Sequence, residues 1–254
     1  MTKIQYTKEV IDFLEASYGE DMLSPGGKTI DILLKNKNFK DKKILDIGSG
    51  LGGVNINIAK KTNCKIIGVD IEDLVINIAK KKLKKQDLIG EIEYIKCGDI
   101  KELKEDKFDL VFSKECILHI KNKKYLFDNI LKKLKKGGEV IIIDWFHKNK
   151  NYSKEMQRFL EHDGLEINLI KVEEYIKLLK IVGFQDVKYE DLTELTCEET
   201  KNVLNKTKKE IALKLKKRFG EEYYNTHCIP SWQQQITLMS QKEIIVGKIS
   251  AKKQ

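Results

Sequence analysis

Residues 44–70 read ILDIGSGLGGVNINIAKKTNCKIIGVD, and that stretch constrains everything the chain can fold into. Ile44, Leu45 and Ile47 make a short apolar run that enters a turn carrying Gly48, Ser49, Gly50, Leu51, Gly52 and Gly53. A helical stretch over 51–61 follows. A second apolar run, 66–69, then ends on Asp70. The order is strand, tight turn, helix, strand, acid. Glycines admit positive φ and let a ligand approach the main chain closely. The helix start offers unpaired N–H groups. An acid about twenty residues beyond the turn can hold a ribose diol. The pattern predicts a nucleoside-bearing cofactor seated on an α/β unit.

The same rhythm continues through the first half of the chain. Strands are expected at 43–47, 65–69, 92–96, 108–113 and 139–143, with helices at 51–61, 73–84 and 123–134 between them. Short apolar strands alternating with helices predict a parallel sheet covered on both faces. Gly137 and Gly138 read as a helix-to-strand turn. Ahead of the first strand, an amphipathic helix is expected over 4–18, with Val10, Ile11, Phe13 and Leu14 on its apolar side. A turn-rich loop over 18–27 and a short helix over 29–34 follow. Beyond Asp144 the alternation breaks. A polar, partly helical insert is expected over 145–169, a helix over 171–182, a sixth strand after Gly183, a long charged helix over 198–218, a helix over 231–240 and a last strand over 243–249.

Composition bounds the function. With 254 residues, 41% apolar and 34% charged, the chain is long enough for an α/β domain with a cap. It has no apolar run of about 18 residues, so no membrane span is expected. The first residues, Met1 to Tyr6, lack the apolar core of a signal peptide. Cys64, Cys97, Cys116, Cys197 and Cys228 form no C-x-x-C pair, which predicts reduced thiols, a cytoplasmic location and no metal centre. The net charge of +9 raises nucleic acid as a partner. The charge is nearly all lysine spread over helices, however, and the only arginines are Arg158 and Arg218, which disfavours that partner.

The word D-I-G-S-G-L-G-G at 46–53 resembles the first motif of the class I S-adenosylmethionine (SAM) methyltransferases, and G-V-D-I at 68–71 resembles their second. An NAD(P)-binding Rossmann unit is the competing reading of the glycines. Asp46, two residues before the first glycine, fits methyltransferases better, and SAM has no pyrophosphate to cradle. The resemblance implies a Rossmann-like α/β sheet of seven strands flanked by helices, the last strand antiparallel between the fifth and sixth, under a lid formed by the N-terminus and the segment after strand five. It implies one methyltransferase domain over 1–254: N-terminal lid 1–40, SAM-binding core 41–145, substrate cap and remaining core 146–242, last strand and tail 243–254. It further implies SAM as cofactor, seated on Gly48, Ser49 and Gly50, with Asp70 on the ribose. Ile71 and Ile100 would flank the adenine, and Asp99 would face its amino group. Asp99 also suits a helix N-cap.

Three further words narrow the resemblance. Q-Y-T at 5–7, Y-G-E-D-M-L-S-P-G-G at 18–27 and S-K-E-C-I-L-H-I at 113–120 resemble the phosphoethanolamine N-methyltransferases. That family closes a Tyr–His dyad over the transferred methyl group, which by position is Tyr6 and His119 here. Tyr6 would also touch the cofactor, as would Ser24 and Lys114. Glu115, four residues before His119, could attract an ammonium; the family usually has Asp there. Simpler readings are lid packing for Tyr6 and a structural histidine for His119.

The family's phosphate pocket does not carry over. Trp145 stands where the family has Tyr. Residues 161–167 are acidic and apolar where it has Tyr and Arg, and Trp232 to Gln235 replaces a word that should hold Lys. Arg158 and Lys171 are the nearest basic substitutes in sequence. A phosphate dianion needs Arg, Lys or backbone donors. Trp145 offers a ring face to a methylated ammonium instead, although a core tryptophan is the plainer reading. Trp145, Glu115 and Gln235 are the candidate substrate contacts. The expectation is a SAM-dependent N-methyltransferase of a small amine that need not be phosphorylated, as a monomer or homodimer. Its alternatives are a phosphobase N-methyltransferase proper, an O- or S-methyltransferase, and a SAM-binding regulatory subunit. With Pro25 and Pro230 as the only prolines, the chain has no N-P-P-Y or D-P-P-Y word for base amines.

Overall fold

The computed structural model describes residues 6–254 apart from 26, 36, 106, 150 and 165. Seven strands form one sheet: β1 (Lys43–Ile47), β2 (Lys65–Asp70), β3 (Glu91–Lys96), β4 (Phe108–Lys114), β5 (Leu134–His147), β6 (Gln185–Asp191) and β7 (Ile244–Lys252). Their order is β3-β2-β1-β4-β5-β7-β6. The first five are mutually parallel, and β7 runs antiparallel to both β5 and β6. Strand order reverses beside β1, the position where open α/β sheets leave a crevice at their carboxyl ends.

Alternation along each strand builds two cores. Leu45, Ile47, Ile67, Val69, Val111, Val140 and Ile142 face one side, against Phe127 and Ile130 of α5 (Lys123–Lys133) and Tyr175 and Leu179 of α7 (Val172–Val182). Ile44, Ile66, Leu110, Phe112, Ile141 and Ile143 face the other. There they meet α2 (Gly27–Leu34), α3 (Gly53–Lys61), α6 (Lys154–Asp163), α8 (Thr193–Lys209) and α11 (Ile229–Ser240). Helix α4 (Asp73–Leu83) has Asp73 in its first turn and Lys80 to Lys82 in its last, which complements the helix dipole. Helix α7 ends on Gly183 at φ 115°.

A separate cluster closes the carboxyl end of the sheet. Phe13 of α1 (Lys8–Tyr18) stacks on Trp232 at 5.6 Å, and Tyr18 meets the same ring edge-on at 5.3 Å. Leu215 of α9 (Ala212–Phe219) and Tyr224 complete it. Lys82 of α4 ties this layer down, donating to Glu15 and to Asp21 at 2.6 Å each.

The observed elements correct several sequence expectations. Residues 4 and 5 of the expected first helix, and Gly26 of the loop, lie outside the described residues. The long charged helix starts earlier, at Thr193, where Asp191 Oδ1 accepts from the Thr193 backbone N–H at 2.8 Å. It then breaks at Glu210 and Ile211 into α8 and α9, because the turn lets Leu215 reach the cluster around Trp232. The helix expected over 231–240 is longer on its N-terminal side: α10 (Glu221–Tyr223), a π-helical segment (Tyr224–Cys228) and α11 run on without a gap. Strand β5 begins five residues earlier than expected, and the Gly137–Gly138 turn is a bulge inside it: Phe108 pairs with Leu134 and Leu110 with Glu139, with Gly137 at φ 76° between them. At its far end β5 continues through Asp144 and Trp145 to His147, because β7 pairs with it along that length. Among the described residues no helix is long and apolar enough to cross a membrane.

Candidate active site

A cavity of about 1220 Å³ opens at the carboxyl ends of β1, β2 and β4, roofed by α1 and α11. Its floor is the glycine turn. Gly48 sits at φ 76°, and a Cβ there would come within 2.3 Å of Cys116 Cβ, so only glycine lets the β1 turn lie against the end of β4. Gly52 is at φ 87°, and a Cβ there would run into the phenol of Tyr94, 1.8 Å from its oxygen. The Gly48 and Ser49 amides both donate to Val69 O, at 2.8 and 2.9 Å. Asp70 accepts from the amides of Gly50 and Glu72 at 3.1 Å each. Burial raises the Asp70 pKa despite those amides. The Ser49 hydroxyl is buried in this floor and has no hydrogen-bond partner among the described residues.

The adenine end expected from the sequence lies in the same cavity. Asp99 does cap the short 3₁₀ turn after β3, accepting from Lys101 N at 2.9 Å. Its other oxygen accepts from the Tyr125 hydroxyl at 2.7 Å. The Tyr125 hydroxyl and the Lys101 amide hold its pKa below the ordinary carboxylate value. Ile100 is buried and Ile71 is half exposed.

At the centre lie the groups expected to handle the methyl acceptor. Tyr6 lines the cavity, and burial, reinforced by Asp70, Cys116 and Glu115, raises its pKa so that the phenol stays protonated. His119 stands at the end of a 3₁₀ turn, Ile117–His119. Its Nδ1 lies 2.8 Å from Glu166 O. A carbonyl only accepts, so Nδ1 carries the hydrogen and Nε2 is the basic nitrogen of the neutral ring. Burial lowers the His119 pKa, the Glu166 carbonyl opposing it. Glu115 sits at φ 51°, an unusual conformation for a non-glycine residue, at the end of β4. Lys114 is buried, donates to Ser24 Oγ at 2.6 Å and lies 3.4 Å from Glu115.

The far end is aromatic and acidic. Trp145, stacked on Phe159 at 6.3 Å, lines it together with Tyr18, Tyr223, Trp232, Gln235, Asp163 and Glu166. Among the described residues neither Arg158 nor Lys171 lines the cavity, and Lys96 and Lys114 are the lysines that do. Lys96 is paired with Asp73. Asp163 accepts from Ser231 Oγ at 2.7 Å and from His162 Nδ1 at 2.6 Å. Burial works against the charged form of His162, but Thr226 O at 2.8 Å and Asp163 outweigh it and raise its pKa. His162, Asp163 and His227 offer ligand atoms close enough together to suggest a metal. Both ring nitrogens of His162 are already engaged, and its ring stacks on His227 at 4.5 Å, so the cluster reads as an internal clamp.

The cavity therefore brings together the cofactor and acceptor candidates named from the sequence, Tyr6, Ser24, Gly48, Ser49, Gly50, Asp70, Ile71, Asp99, Ile100, Lys114, Glu115, His119, Trp145 and Gln235, but not the basic substitutes Arg158 and Lys171. Sequence reasoning missed Tyr125, Lys123, Asn168 and the His162–Asp163–Ser231 clamp. All act through contacts distant in sequence or inside lysine-rich helices, where no local pattern marks them.

A methyltransferase domain family model matches residues 38–217. The chain belongs to that methyltransferase domain family. It is 34% identical over 197 residues to phosphoethanolamine N-methyltransferase of Plasmodium falciparum, covering 75% of this chain and 72% of that protein. It is 29% identical over 255 residues to phosphoethanolamine N-methyltransferase 1 of Arabidopsis thaliana, covering this whole chain and 51% of that protein. This methyltransferase thus spans about half the length of the plant relative. Its fold matches Haemonchus contortus phosphoethanolamine N-methyltransferase 2, solved with phosphomonomethylethanolamine and S-adenosylhomocysteine, at a TM-score of 0.88 and 24% identity over 98% of this chain and 58% of that one. The fold is that of the class I SAM-dependent methyltransferases, and the donor set fits SAM: a buried orphan hydroxyl on Ser49, a glycine turn open to close approach, and the Asp70 carboxylate beside it.

Replacing Asp70 with Ala removes a charged acceptor from this cradle. The dissociation constant for S-adenosylhomocysteine should rise roughly 10- to 100-fold by titration calorimetry. Unchanged affinity would remove Asp70 from the cofactor site.

Proposed function

We propose that this methyltransferase methylates the nitrogen of a small amine whose far end carries no phosphate. One observation carries the reading: Asp163, Glu166 and aromatic rings line the cavity, and the two lysines that line it among the described residues are already paired within its wall, Lys114 with Ser24 and Glu115 and Lys96 with Asp73. A dianion there would meet carboxylates and neutral donors, while a cation would meet ring faces and acids.

The residues divide the work by their protonation states. An alkylamine is mostly protonated at neutral pH, roughly as lysine is. Glu115 attracts that ammonium. His119 Nε2 accepts its proton, directly or through a water, which frees the nitrogen lone pair. Tyr6 stays protonated, so it acts as a hydrogen-bond donor and a wall that fixes the amine and excludes water. SAM, held on Gly48 to Gly50 and Asp70, supplies a methyl group made electrophilic by its sulfonium. Likeness to the phosphoethanolamine enzymes favours a second reading, in which phosphoethanolamine itself is the acceptor and the far wall rearranges to take it.

Product mass spectrometry decides between them. Incubated with SAM and a panel of ethanolamine, glycine, sarcosine, polyamine and phosphobase acceptors, the chain should methylate an unphosphorylated amine at a kcat/KM at least about tenfold above that for phosphoethanolamine. Methylation of phosphoethanolamine alone would establish the second reading.

With the acceptor so found, His119→Ala should lower kcat by roughly 10²- to 10⁴-fold while S-adenosylhomocysteine affinity stays within about twofold. Because burial lowers the His119 pKa, the ring remains a base below the ordinary histidine value, and the acid limb of the wild-type profile should fall below about pH 6.5. Full activity of the variant would take His119 out of the mechanism.

A further inference from the structure

Lys123 is the first residue of α5 and is only 4% exposed. Its ammonium donates to Ile117 O at 3.0 Å, Ile120 O at 2.8 Å and Asn168 O at 2.8 Å. All three donors are thus used on carbonyls. The first two carbonyls belong to the 3₁₀ turn that carries His119, and the third belongs to the insert after β5. Asn168 reinforces the same join: its backbone N–H donates to Leu118 O at 2.7 Å, and its side-chain amide donates to His119 O at 3.1 Å. Two residues earlier in that insert stands Glu166, whose carbonyl receives His119 Nδ1–H.

We propose that Lys123 is a positioning residue for His119: by stapling the 166–168 segment to the turn 117–120, it keeps the Glu166 carbonyl on Nδ1 and so holds the ring in the tautomer whose Nε2 is basic. The inference rests on His119 being the base proposed above.

The cost of the arrangement supports the assignment. A buried ammonium is expensive even when fully hydrogen-bonded, and an apolar side chain of similar volume would fill the space without that cost. Asp144, entirely buried nearby, does not form a direct pair with it, and one Asp144 oxygen has no partner among the described residues. The ammonium and the Asp144 carboxyl still attract each other across that gap, but the groups that the ammonium touches are the three carbonyls. An apolar residue could pack there but could not gather the carbonyls of Ile117 and Ile120 together with that of Asn168, which lies 45 residues beyond Lys123 in the chain.

The tautomer of His119 reports this directly and needs no acceptor. The chain has four histidines, so ¹⁵N-labelled imidazole resonances are assignable with His119→Ala as reference. In the wild type at neutral pH, His119 should show the Nδ1–H tautomer. In Lys123→Met the tautomer ratio should move by roughly fivefold or more toward Nε2–H, the change expected for losing one hydrogen bond. The pKa is the poorer reading, because removing the Lys123 charge raises it while losing the Glu166 carbonyl lowers it. If Lys123→Met alone does not fold, Lys123→Met with Asp144→Asn removes the buried acid left behind, and the same spectrum is read. An unchanged tautomer in a folded variant overturns the proposal. Failure of the His119 mechanism itself appears separately, as full turnover by His119→Ala.

Discussion

The site depends on how closely the glycine turn after β1 lies against its neighbours. Two amides of that turn share the Val69 carbonyl, a third reaches Asp70, and Gly48 leaves no room for a side chain beside Cys116. These contacts set the ends of β2 and β4 at fixed distances from β1. The ends of those strands carry, respectively, the acid of the cofactor cradle and the turn bearing His119. A side chain at 48 would part the turn from β4 and so separate the cofactor floor from the residues proposed to handle the acceptor. The start of α5 then serves both halves: Tyr125 donates to Asp99 at one end, and Lys123 holds the His119 turn at the other.

What was legible in the sequence follows the same division. The core strands, the crossover helices and the placement of β7 between β5 and β6 follow from apolar periodicity, punctuation and the family resemblance, and the candidate residues at the strand ends gather around one cavity. Misread boundaries occur where tertiary pairing decides. Strand β5 runs three residues past Asp144 because β7 accompanies it, and the charged helix bends at 210–211 so that Leu215 joins Trp232. Neither cause is local. The supporting contacts were invisible for the same reason: a lysine among many lysines gives no sign that its ammonium is buried on three carbonyls, and Asp163 gives no sign that His162 and Ser231 clamp it.

The two ends of the cavity differ in electrostatic design. On the side of the glycine turn, the Ser49 hydroxyl and the partly buried Asp70 carboxylate line the cavity. On the side proposed for the acceptor, Glu115, Asp163 and Glu166 line the cavity with Tyr18, Trp145 and Trp232, and Lys114 is held by Ser24 and Glu115. Such a wall discriminates by charge as well as by shape, because an unpaired buried charge is costly. The clamp fixes Asp163 in place between His162 and Ser231.

Binding of two quaternary amines of known charge to the cofactor-loaded chain tests this account most directly. With S-adenosylhomocysteine saturating, choline and phosphocholine differ only at the far end, where the cavity wall is acidic and aromatic. The account predicts that choline binds more tightly than phosphocholine by calorimetry. Tighter binding of phosphocholine would contradict it and would mean that the wall supplies a phosphate site after all.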